Sequence, residues 1–331
     1  MRQKVLVIGG CGRIGKSVAS DLAKYTDTEI TVTSRTKKIT QPPLKFITLD
    51  LNDTNQLAKA IKNNDLVIHC AGPFHYRDGK VLQACIEQKV NYIDVSDHRC
   101  YYENVIKYRS AAKQAGIIAI LNTGVFPGIS NSMVKQGVEQ LDEAETIHLS
   151  YVVAGSGGAG ITVMRTTFLG IRTPFLAWLQ GKWQKVVPYT ARETINFPQP
   201  YGKTGVYWFD VAETYTFVES FPGVKNVITK FGSVPDFYNH LTWITAHVFP
   251  SSWTQSPKGI EFFSRVSYLM TQVTDRLSGV GVAMQAKILG KKNNQIVKYS
   301  STVVHPNTAI AAGAGTGSVA QFLLANKLNK P

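Results

Sequence analysis

The sequence is short of cysteine and of long apolar runs, and each shortage excludes a class of protein. Its 331 residues include 4 cysteines, none of which forms a CxxC pair or a zinc-site spacing. A disulfide-rich fold is therefore not predicted, and free thiols indicate a reducing compartment, which we take to be the cytoplasm. The longest apolar stretches, such as residues 241–249, contain polar residues and fall short of the ~20 that span a bilayer. Because a strand is predicted almost at the N-terminus, we expect no signal peptide.

Acidic side chains are scarce relative to basic ones. The chain has 36 Lys and Arg against 22 Asp and Glu, a formal net charge of +14. This excess favours an anionic partner such as a phosphorylated cofactor, an acidic substrate or a membrane surface, and a charge spread for solubility explains it equally well. The sequence has no basic helix or aromatic-basic module and no HExxH motif. We therefore expect neither a nucleic-acid partner nor a metal.

The most informative segment is Lys4–Leu22, where an apolar strand leads into a glycine turn and then a helix. Gly10, Gly12 and Gly15 fill a GxGxxG pattern directly after the branched apolar run Val5–Ile8. In such a pattern the glycines allow a tight turn, close approach of the backbone to a pyrophosphate, and close packing of helix on strand. The helix N-terminus supplies N–H groups and a positive dipole end. The segment predicts a dinucleotide site, with a purely structural turn as the alternative.

The end of the second predicted strand indicates which dinucleotide binds. An NAD site places Asp or Glu about 20 residues after the glycines, to hold the ribose 2′-hydroxyl. Ser34 and Arg35 occupy that place here, followed by Lys37 and Lys38. A hydroxyl and a guanidinium suit a 2′-phosphate, and no carboxylate is present to repel it. The two lysines either add attraction or form a solvated loop. NADP (NADPH) is the predicted cofactor.

Strands and helices alternate regularly through the first half of the chain, which predicts a doubly wound parallel sheet of the Rossmann type. The predicted strands are Val5–Ile8, Glu29–Ser34, Phe46–Leu49, Asp65–Cys70, Tyr92–Val95 and Ile117–Leu121. The helices predicted after the first one are Asn52–Lys62, Gly79–Lys89 and Tyr102–Gln114. Ligands bind outside the carboxyl ends of such strands. The residues expected to contact the cofactor there are Gly10, Gly12, Arg13, Ile14, Gly15, Ser34, Arg35, Asp50, Ala71, Gly72, Pro73, Phe74, Thr123 and Gly124.

The pattern changes after residue 128 to longer, alternating segments, which predict an α+β domain on a mainly antiparallel sheet. Its predicted strands are Ile147–Ala154, Val206–Asp210, Thr214–Val218, Val280–Ile288 and Gln295–Val304, and its predicted helices are Phe168–Gln180 and Ile260–Gln272. We expect residues 1–128 and a terminal helix within 307–331 to form the dinucleotide-binding domain. Residues 129–306 then form a domain for substrate binding and dimerisation.

Four segments make the chain resemble the saccharopine dehydrogenase-like family. They are GGCGRIGKSVASDL in the glycine turn, AGPF at Ala71–Phe74, LQACIEQKVNYIDVSD at Leu82–Asp97 and GVFPGISN at Gly124–Asn131. Softer similarity to uncharacterised cyanobacterial and chloroplast members extends through Gly155–Gly170 and the C-terminal helix. The resemblance implies a Rossmann domain, an α+β substrate domain and NAD(P)-linked chemistry on an amine or imine of amino-acid type. Where family members often carry Ser-Gly-Glu, this chain has Ser-Asp-His at residues 96–98, which argues against saccharopine itself as the substrate.

Candidate catalytic groups follow the fourth and fifth predicted strands. Asp97 and His98 lie just beyond the fifth strand and Tyr76 just beyond the fourth, where groups that bind or protonate a substrate belong. For His98 a surface-loop role is an equal alternative. Arginines that could bind a substrate carboxylate, each with a structural role as the alternative, are Arg77, Arg99 and Arg165.

The sequence thus predicts an NADP-dependent oxidoreductase that acts on a small anionic imine, amino-acid-like or carbonyl substrate. The alternative is a non-catalytic NADP-binding regulator or membrane-associated scaffold on the same fold. Peripheral membrane contact and a homodimer both remain open. A second GxGxxG pattern at Gly155, Gly157 and Gly160 has no βαβ unit after it. For that pattern a plain turn is the expectation, and a turn that binds a substrate carboxylate is the alternative.

Overall fold

The computed structural model of the chain describes residues 2–36, 42–158, 160–171 and 173–328. Contacts between residues divide the chain into two compact units. Met1–Ile129 with Ala309–Pro331 forms the first unit, and Ser130–Thr308 forms the second. Each unit is built on its own sheet.

The first unit contains a six-stranded parallel sheet in the order β3-β2-β1-β4-β5-β6. Its strands are β1 Lys4–Ile8, β2 Glu29–Ser34, β3 Lys45–Thr48, β4 Leu66–His69, β5 Asn91–Asp94 and β6 Ala119–Ile120. Every side chain of β1 and β4 except Lys4 is buried, as expected for parallel strands covered on both faces. The strand order reverses between β1 and β4, which is the doubly wound Rossmann topology. The predicted fold class is confirmed for this unit.

Helices cover both faces of this sheet. They are α1 Arg13–Tyr25, α2 Thr54–Ile61, α3 Lys80–Gln88, α4 Arg99–Ile106 and α5 Arg109–Ala115, with a one-turn 3-10 helix at Phe74–Tyr76. The prediction of a single helix over Tyr102–Gln114 is wrong, because the helix is interrupted between α4 and α5. At the break the Tyr108 hydroxyl accepts a hydrogen bond from the Gln83 side chain of α3. This tertiary contact between residues 25 positions apart has no local signal in the sequence.

The second unit contains a mixed, mainly antiparallel sheet in the order β10-β11-β12-β7-β13-β14, with β8 paired to β12 and β9 to β8. Its strands are β7 Glu143–Ala154, β8 Phe175–Leu179, β9 Lys182–Val186, β10 Glu193–Asn196, β11 Lys203–Trp208, β12 Asn226–Val234, β13 Gly281–Lys292 and β14 Gln295–His305. Its helices are α6 Ile129–Val138, α7 Ile161–Gly170, α8 Glu213–Ser220, α9 Phe237–His247, α10 Ser251–Thr254 and α11 Pro257–Ser278. The strands β7 and β12 are parallel, whereas β7–β13 and β13–β14 are antiparallel. The predicted α+β class is confirmed.

Two predicted elements of this unit are wrong. Thr214–Val218 was expected to be a strand because β-branched and aromatic residues alternate there, but it lies in helix α8. The buried residues of α8 include Glu213, Thr214 and Phe217, which share one helical face. Buried contacts hold that face, since Glu213 accepts the Ser130 hydroxyl at 2.9 Å.

The helix predicted over Phe168–Gln180 ends at Gly170, and Phe175–Leu179 forms strand β8 instead. Pro174, between the two elements, cannot continue a helix. Gln180 and Gly181 then turn the chain into β9 with φ of 55° and 71°. Positive φ at both central residues is the signature of a two-residue hairpin turn.

The C-terminal helix α12, Thr308–Leu324, packs on α1 within the first unit. A Cβ atom at Gly313 would overlap Ser17 of α1, and one at Gly317 would overlap Asp21. Glycine at both positions therefore allows the two helices to approach closely. Gln321 also donates a hydrogen bond to Asp21 at 2.9 Å. Across the described residues, no helix combines the length and the apolar character needed to cross a membrane.

Candidate dinucleotide-binding site

The residues predicted to contact the cofactor follow the carboxyl ends of strands in the first unit. The glycine turn follows β1, Ser34 ends β2, Asp50 follows β3, Ala71–Phe74 follows β4, and Thr123 with Gly124 follows β6. The turns after β1 and β4 touch, because a Cβ at Gly9 would lie 2.9 Å from the Ala71 backbone. The fold thus gathers these segments at one edge of the sheet, where ligands of open α/β sheets bind. Direct contact with a cofactor remains a prediction.

The three glycines of the turn have different surroundings. A Cβ at Gly10 would lie 2.6 Å from Val32 of β2, and one at Gly15 would overlap the carbonyl of Gly9. These two glycines are therefore required for packing. Among the described residues, a Cβ at Gly12 would meet the Gly9 carbonyl oxygen alone, at 3.1 Å. Gly12 thus keeps open a space beside the turn, as the predicted approach of a pyrophosphate requires.

The N-terminus of α1 suits an anion. Gly12 is its N-cap and has no side chain to accept a hydrogen bond from the first turn. Arg13 and Ile14 begin the helix, and the first turn contains no acidic residue. The N–H groups and the positive end of the helix dipole therefore favour a bound phosphate. These features match the predicted roles of Arg13 and Ile14, which stay predictions.

The end of β2 presents the side chains predicted to select NADP. The Ser34 hydroxyl donates to the Thr36 carbonyl at 2.6 Å and accepts the Thr36 N–H at 3.2 Å, so it shapes the loop. To bind a 2′-phosphate, the hydroxyl has to turn its proton from the Thr36 carbonyl to the phosphate. Arg35 is exposed. Burial lowers the pKa of Arg77 and the positive charge of Arg35 acts in the same direction, so the two guanidinium groups lie within electrostatic range of each other. Lys37 and Lys38 lie outside the described residues.

Arg77 has a role that the sequence analysis did not predict. Its Nε donates to the Ala71 carbonyl at 2.8 Å and its Nη2 to the Gly72 carbonyl at 3.4 Å. The guanidinium thus holds the loop after β4 and adds a positive charge close to Arg35. It also lines a small polar cavity of about 50 Å³ with Tyr76. The sequence identifies Arg77 as a basic residue but does not indicate that it binds the carbonyls of Ala71 and Gly72.

The other two candidate arginines have ion-pair partners. Arg99 lies 3.4 Å from Glu103 one turn along α4. In the second unit, Arg165 binds both carboxylate oxygens of Glu261 at 2.8 and 2.9 Å. A bidentate pair of this kind fixes a guanidinium firmly. A structural role therefore accounts for Arg165, and binding of a substrate carboxylate by Arg99 stays a prediction.

A buried histidine at the end of β4 supports the loop after that strand. His69 is 1% exposed and packs edge-on against Phe74 at 5.0 Å and Tyr101 at 6.4 Å between ring centroids. Burial, aided by the positive charge of Arg77, lowers the pKa of His69 to about 3. The ring is therefore neutral at physiological pH. Because the Phe74 side chain is also buried, what Phe74 can offer a cofactor is its backbone.

A buried polar network joins the ends of β5 and β6. The Asp94 carboxylate accepts hydrogen bonds from the Ser96 hydroxyl at 2.6 Å, the Asn122 N–H at 2.9 Å and the Tyr92 hydroxyl at 3.0 Å. Burial raises the pKa of Asp94, and these hydrogen bonds act in the opposite direction. The Thr123 hydroxyl donates to the Asp94 backbone carbonyl at 2.8 Å. The side chain of Thr123 therefore supports the loop after β6.

Three ring side chains cluster beyond β4 and β5. The ring centroids of His75 and His98 are 4.6 Å apart, and those of His75 and Tyr76 are 4.9 Å apart. The structure thus brings the predicted catalytic residues His98 and Tyr76 next to His75. His98 is the N-cap of α4, where its Nδ1 accepts the Cys100 N–H at 3.2 Å. Asp97 precedes it, half-buried.

The same cluster contains a donor set that can bind metals. Ligand atoms of His75, His98 and Cys100 lie within 4.8 Å of one another. Imidazole and thiolate are zinc ligands, but closed structural sites use four of them. Nδ1 of His98 also accepts a backbone N–H already, which leaves Nε2 as the donor atom. We assign no ion to the cluster, and the expected absence of a metal stays a prediction.

The second glycine pattern, in the second unit, contacts other parts of the protein closely. Ser156 donates its N–H and its hydroxyl to Asp275 at 2.8 and 2.7 Å. A Cβ at Gly155 would overlap the same carboxylate, and one at Gly158 would lie 2.6 Å from Asn307. An internal carboxylate, that of Asp275, thus already accepts the N–H and the hydroxyl of Ser156. The geometry supports the plain turn.

Comparison with known proteins matches this site to one family. Residues 5–120 match the family model described as the saccharopine dehydrogenase NADP binding domain. A carboxyaminopropylagmatine dehydrogenase of Synechocystis is 25% identical over 264 residues, which cover 73% of this chain and 65% of that protein. A carboxynorspermidine synthase of Vibrio cholerae is 28% identical over 250 residues, which cover 65% of this chain and 60% of that protein. The matched region thus spans less than two thirds of either relative.

Solved structures show the same fold. An apo saccharopine dehydrogenase (L-Glu forming) from Saccharomyces cerevisiae superposes with a TM-score of 0.71 at 16% identity, over 99% of this chain and 92% of that chain. An engineered D-amino acid dehydrogenase bound to NADP⁺ gives a TM-score of 0.51 at 13% identity, over 99% and 92% of the two chains. At such low identity the likeness concerns the fold alone.

A Rossmann sheet with an open glycine turn at a helix N-terminus is the architecture of a dinucleotide-binding domain. Residues 5–120 are similar to the saccharopine dehydrogenase NADP binding domain, which agrees with the predicted cofactor NADP. The resemblance indicated by four sequence segments is found again in these comparisons.

Proposed function

We propose that this chain catalyses hydride transfer between NADP(H) and a small anionic imine, amino-acid-like or carbonyl substrate. The proposal rests on one observation: the glycine turn and a cluster of ring side chains lie at the same edge of the sheet. The open turn at Gly12 follows β1, and the ring cluster of His75, Tyr76 and His98 follows the neighbouring strands β4 and β5. A phosphate-binding turn and side chains able to exchange a proton thus lie along the same edge, as hydride transfer requires.

Different residues of the chain bind the cofactor and act on the substrate. The backbone of Gly12, Arg13 and Ile14 binds the pyrophosphate, and Arg35 with the Ser34 hydroxyl binds the 2′-phosphate. Bound NADPH supplies the hydride. His98, with Asp97 and Tyr76 beside the same edge, binds the substrate and provides the proton that accompanies the hydride. When an imine is reduced, its carbon gains the hydride and its nitrogen gains the proton.

The relatives support the substrate class. The names carboxyaminopropylagmatine and carboxynorspermidine each denote an amine that bears a carboxyl group. The +14 net charge of this chain favours a substrate that has a carboxylate over one that has amino groups alone. A carboxylated secondary amine, formed from an amine and a carbonyl compound, is therefore the substrate class that we favour.

A screen that follows NADPH absorbance tests the proposal. The full chain is mixed with NADPH and pairs of amines and carbonyl compounds, with and without a carboxylate, and oxidation is followed in each mixture. We expect turnover with a carboxylated pair and slower turnover with its neutral analogue. Tight NADPH binding in calorimetry without turnover on any pair would support a non-catalytic NADP-binding protein instead.

A further inference from the structure

Exposed apolar side chains concentrate on one helical segment of the second unit. Among the described residues, ten of the twenty exposed large apolar side chains lie between Phe237 and Val273, on α9, α10 and α11 or between them. On α11 they recur at Phe262, Val266, Leu269 and Val273, with exposures of 52%, 38%, 61% and 75%. This spacing forms one stripe along the helix. We call the exposed side of this segment the apolar face, and a patch of this kind marks a binding surface.

A cavity lies directly beneath the apolar face. It has a volume of about 230 Å³ and is lined by β7, β12, α7, α9 and α11, with no charged side chain among its described lining residues. Ile244, Phe249 and Val266 line the cavity and are also about 40% exposed. These three residues therefore form its mouth, which opens on the apolar face.

Three of the hydroxyl groups that line the cavity donate to nearby backbone carbonyls. Thr167 donates to the Val163 carbonyl at 3.0 Å, Thr245 to the Leu241 carbonyl at 2.9 Å, and Thr271 to the Tyr268 carbonyl at 2.9 Å. Most of the other lining side chains are apolar. An apolar cavity of about 150 Å³ holds benzene, so this larger one can take a hydrocarbon chain.

The exposed charged side chains of α11 are positive. They are Lys258, Arg265 and Arg276, and Arg265 directly precedes the mouth residue Val266. The same helix contains two less exposed acidic residues, Glu261 and Asp275, and both accept hydrogen bonds from other side chains. Arg165 and Arg265 donate to Glu261 at 2.8 and 2.7 Å, which lowers its pKa to about 2.

Asp275, the second acidic residue, accepts two hydrogen bonds from Ser156, as described above. Helix α11 thus contains three cationic side chains and two carboxylates, an excess of one positive charge. The rim of the cavity thus attracts an anion, while the interior excludes one.

We propose that the cavity binds the hydrocarbon chain of a monomeric anionic amphiphile, such as a fatty acid, with its head group at Arg265. The chain replaces water at the apolar walls, and the carboxylate stays at the positively charged rim, exposed to solvent. This site lies within the second unit and is independent of the proposed hydride transfer. NADPH binding and turnover can therefore fail or succeed without affecting its test.

Calorimetry with the full chain and a series of saturated fatty acids, from hexanoate to dodecanoate, tests the cavity. Each added methylene should raise the affinity about fourfold, the equivalent of ~0.8 kcal/mol, until the cavity is full, after which the affinity should level off. Octanol should bind more weakly than octanoate because it lacks the charge. Absence of octanoate binding, or equal affinity for all chain lengths, would overturn the proposal.

Two pairs of variants separate the cavity from the surface. Ser267→Phe fills the cavity, and Gln272→Phe places the same side chain on the exposed side of the same helix. We expect the first to lower octanoate affinity at least tenfold and the second to leave it unchanged, with melting temperature as the folding check. Met270→Trp, which also fills the cavity, replaces Ser267→Phe if that variant unfolds.

Arg265→Gln should weaken octanoate about threefold and leave octanol unchanged, as expected for an exposed charge pair. Lys182→Gln on β9 is its matched control and should change neither ligand. If Arg265→Gln and Lys182→Gln change octanoate affinity equally, the head group does not bind at Arg265.

Vesicle sedimentation distinguishes a free amphiphile from a bilayer. Phosphatidylglycerol vesicles are compared with phosphatidylcholine vesicles, each with the wild-type chain and Ser267→Phe. Binding to vesicles that survives Ser267→Phe, without binding of monomeric octanoate, would assign the apolar face to a membrane and overturn the cavity proposal. Self-association in sedimentation velocity that excludes octanoate would overturn it in favour of a second copy of the chain.

Discussion

Nδ1 of His98 accepts the backbone N–H of Cys100 at 3.2 Å. A neutral imidazole that accepts at Nδ1 carries its proton on Nε2, so this contact determines which nitrogen His98 can present as a donor. The same contact caps the N-terminus of α4. His98 therefore has a structural task and, in our proposal, a catalytic one, and the two must be separated experimentally.

His98→Asn should separate them. The Asn side-chain oxygen can still accept the Cys100 N–H, because Asn is a favoured N-cap residue, whereas it cannot exchange a proton. We expect turnover on an identified substrate to fall by two to four orders of magnitude, with melting temperature and NADPH affinity near those of the wild type.

His98→Ala is the matched variant and should lose the cap as well, which costs about 1 kcal/mol of stability. If His98→Asn keeps full turnover, His98 is a capping residue and takes no part in the proton transfer.

The glycine turn gives a prediction about binding. Gly12→Val should abolish NADPH binding, since the new side chain would enter the space that Gly12 keeps open. The fold should persist, because a Cβ there would meet the Gly9 carbonyl oxygen at a tolerable 3.1 Å. Titration calorimetry measures the binding and circular dichroism the fold. Gly223→Val, at a position with open space in the second unit, is the control and should bind NADPH normally.

The first unit could be predicted from the sequence because its signals are local. Val5–Ile8 is apolar throughout, the glycines follow at once, and Ile14, Val18 and Leu22 repeat at helical spacing. Each of these features depends on residues that are close together in the sequence. The Asp94 network could not be predicted in this way. Its partner Asn122 is 28 residues away, and only the sheet brings the two together.

The second unit was harder to predict because tertiary contacts override local preference there. Thr214–Val218 has the composition of a strand and forms a helix because its Glu213 face is buried. Strand β12, Asn226–Val234, was missed although it pairs with β7 along nine residues. It contains Lys230, which is 1% exposed and 2.9 Å from Glu193. Because Lys230 interrupts the apolar pattern of β12, the sequence does not indicate a buried strand there.

The candidate site was predictable in its cofactor turn and less so in its supports. The GxGxxG pattern names Gly12 directly, whereas the closeness of Arg77 to Arg35 depends on how β2 and β4 flank β1. The ring contact between His75 and His98 depends likewise on two loops from different strands. Spacing along the chain carries no information about either pair.

Arg35 gives a prediction about cofactor choice. Arg35→Ala should weaken NADPH binding by about 1–3 kcal/mol and leave NADH little changed, since NADH lacks the 2′-phosphate. Arg77 is expected to retain part of the attraction because its guanidinium lies near Arg35. Arg2→Ala is the control, because Arg2 is exposed and paired with Asp27 before the amino end of β1. If calorimetry shows equal losses of affinity for NADPH and NADH in Arg35→Ala, Arg35 does not bind the 2′-phosphate.

His69 gives a prediction about stability against pH. Burial lowers its folded-state pKa to about 3, whereas a histidine in the unfolded chain titrates near 6.5. Below pH 6.5 the unfolded state therefore binds a proton that the folded state does not. The stability that His69 contributes is complete above pH 6.5 and is lost as the pH falls towards 3. The loss approaches about 1.4 kcal/mol per pH unit in the middle of this window.

His69→Phe should remove this pH dependence, because phenylalanine fits beside Phe74 and Tyr101 but does not titrate. The variant also loses the weak hydrogen bond from the Ala71 N–H at 3.4 Å, which changes stability by the same amount at every pH. Urea unfolding of the full chain between pH 7 and pH 4 should thus give a shallower slope than the wild type. Parallel curves for wild type and His69→Phe would mean that His69 takes up its proton without a cost to the fold.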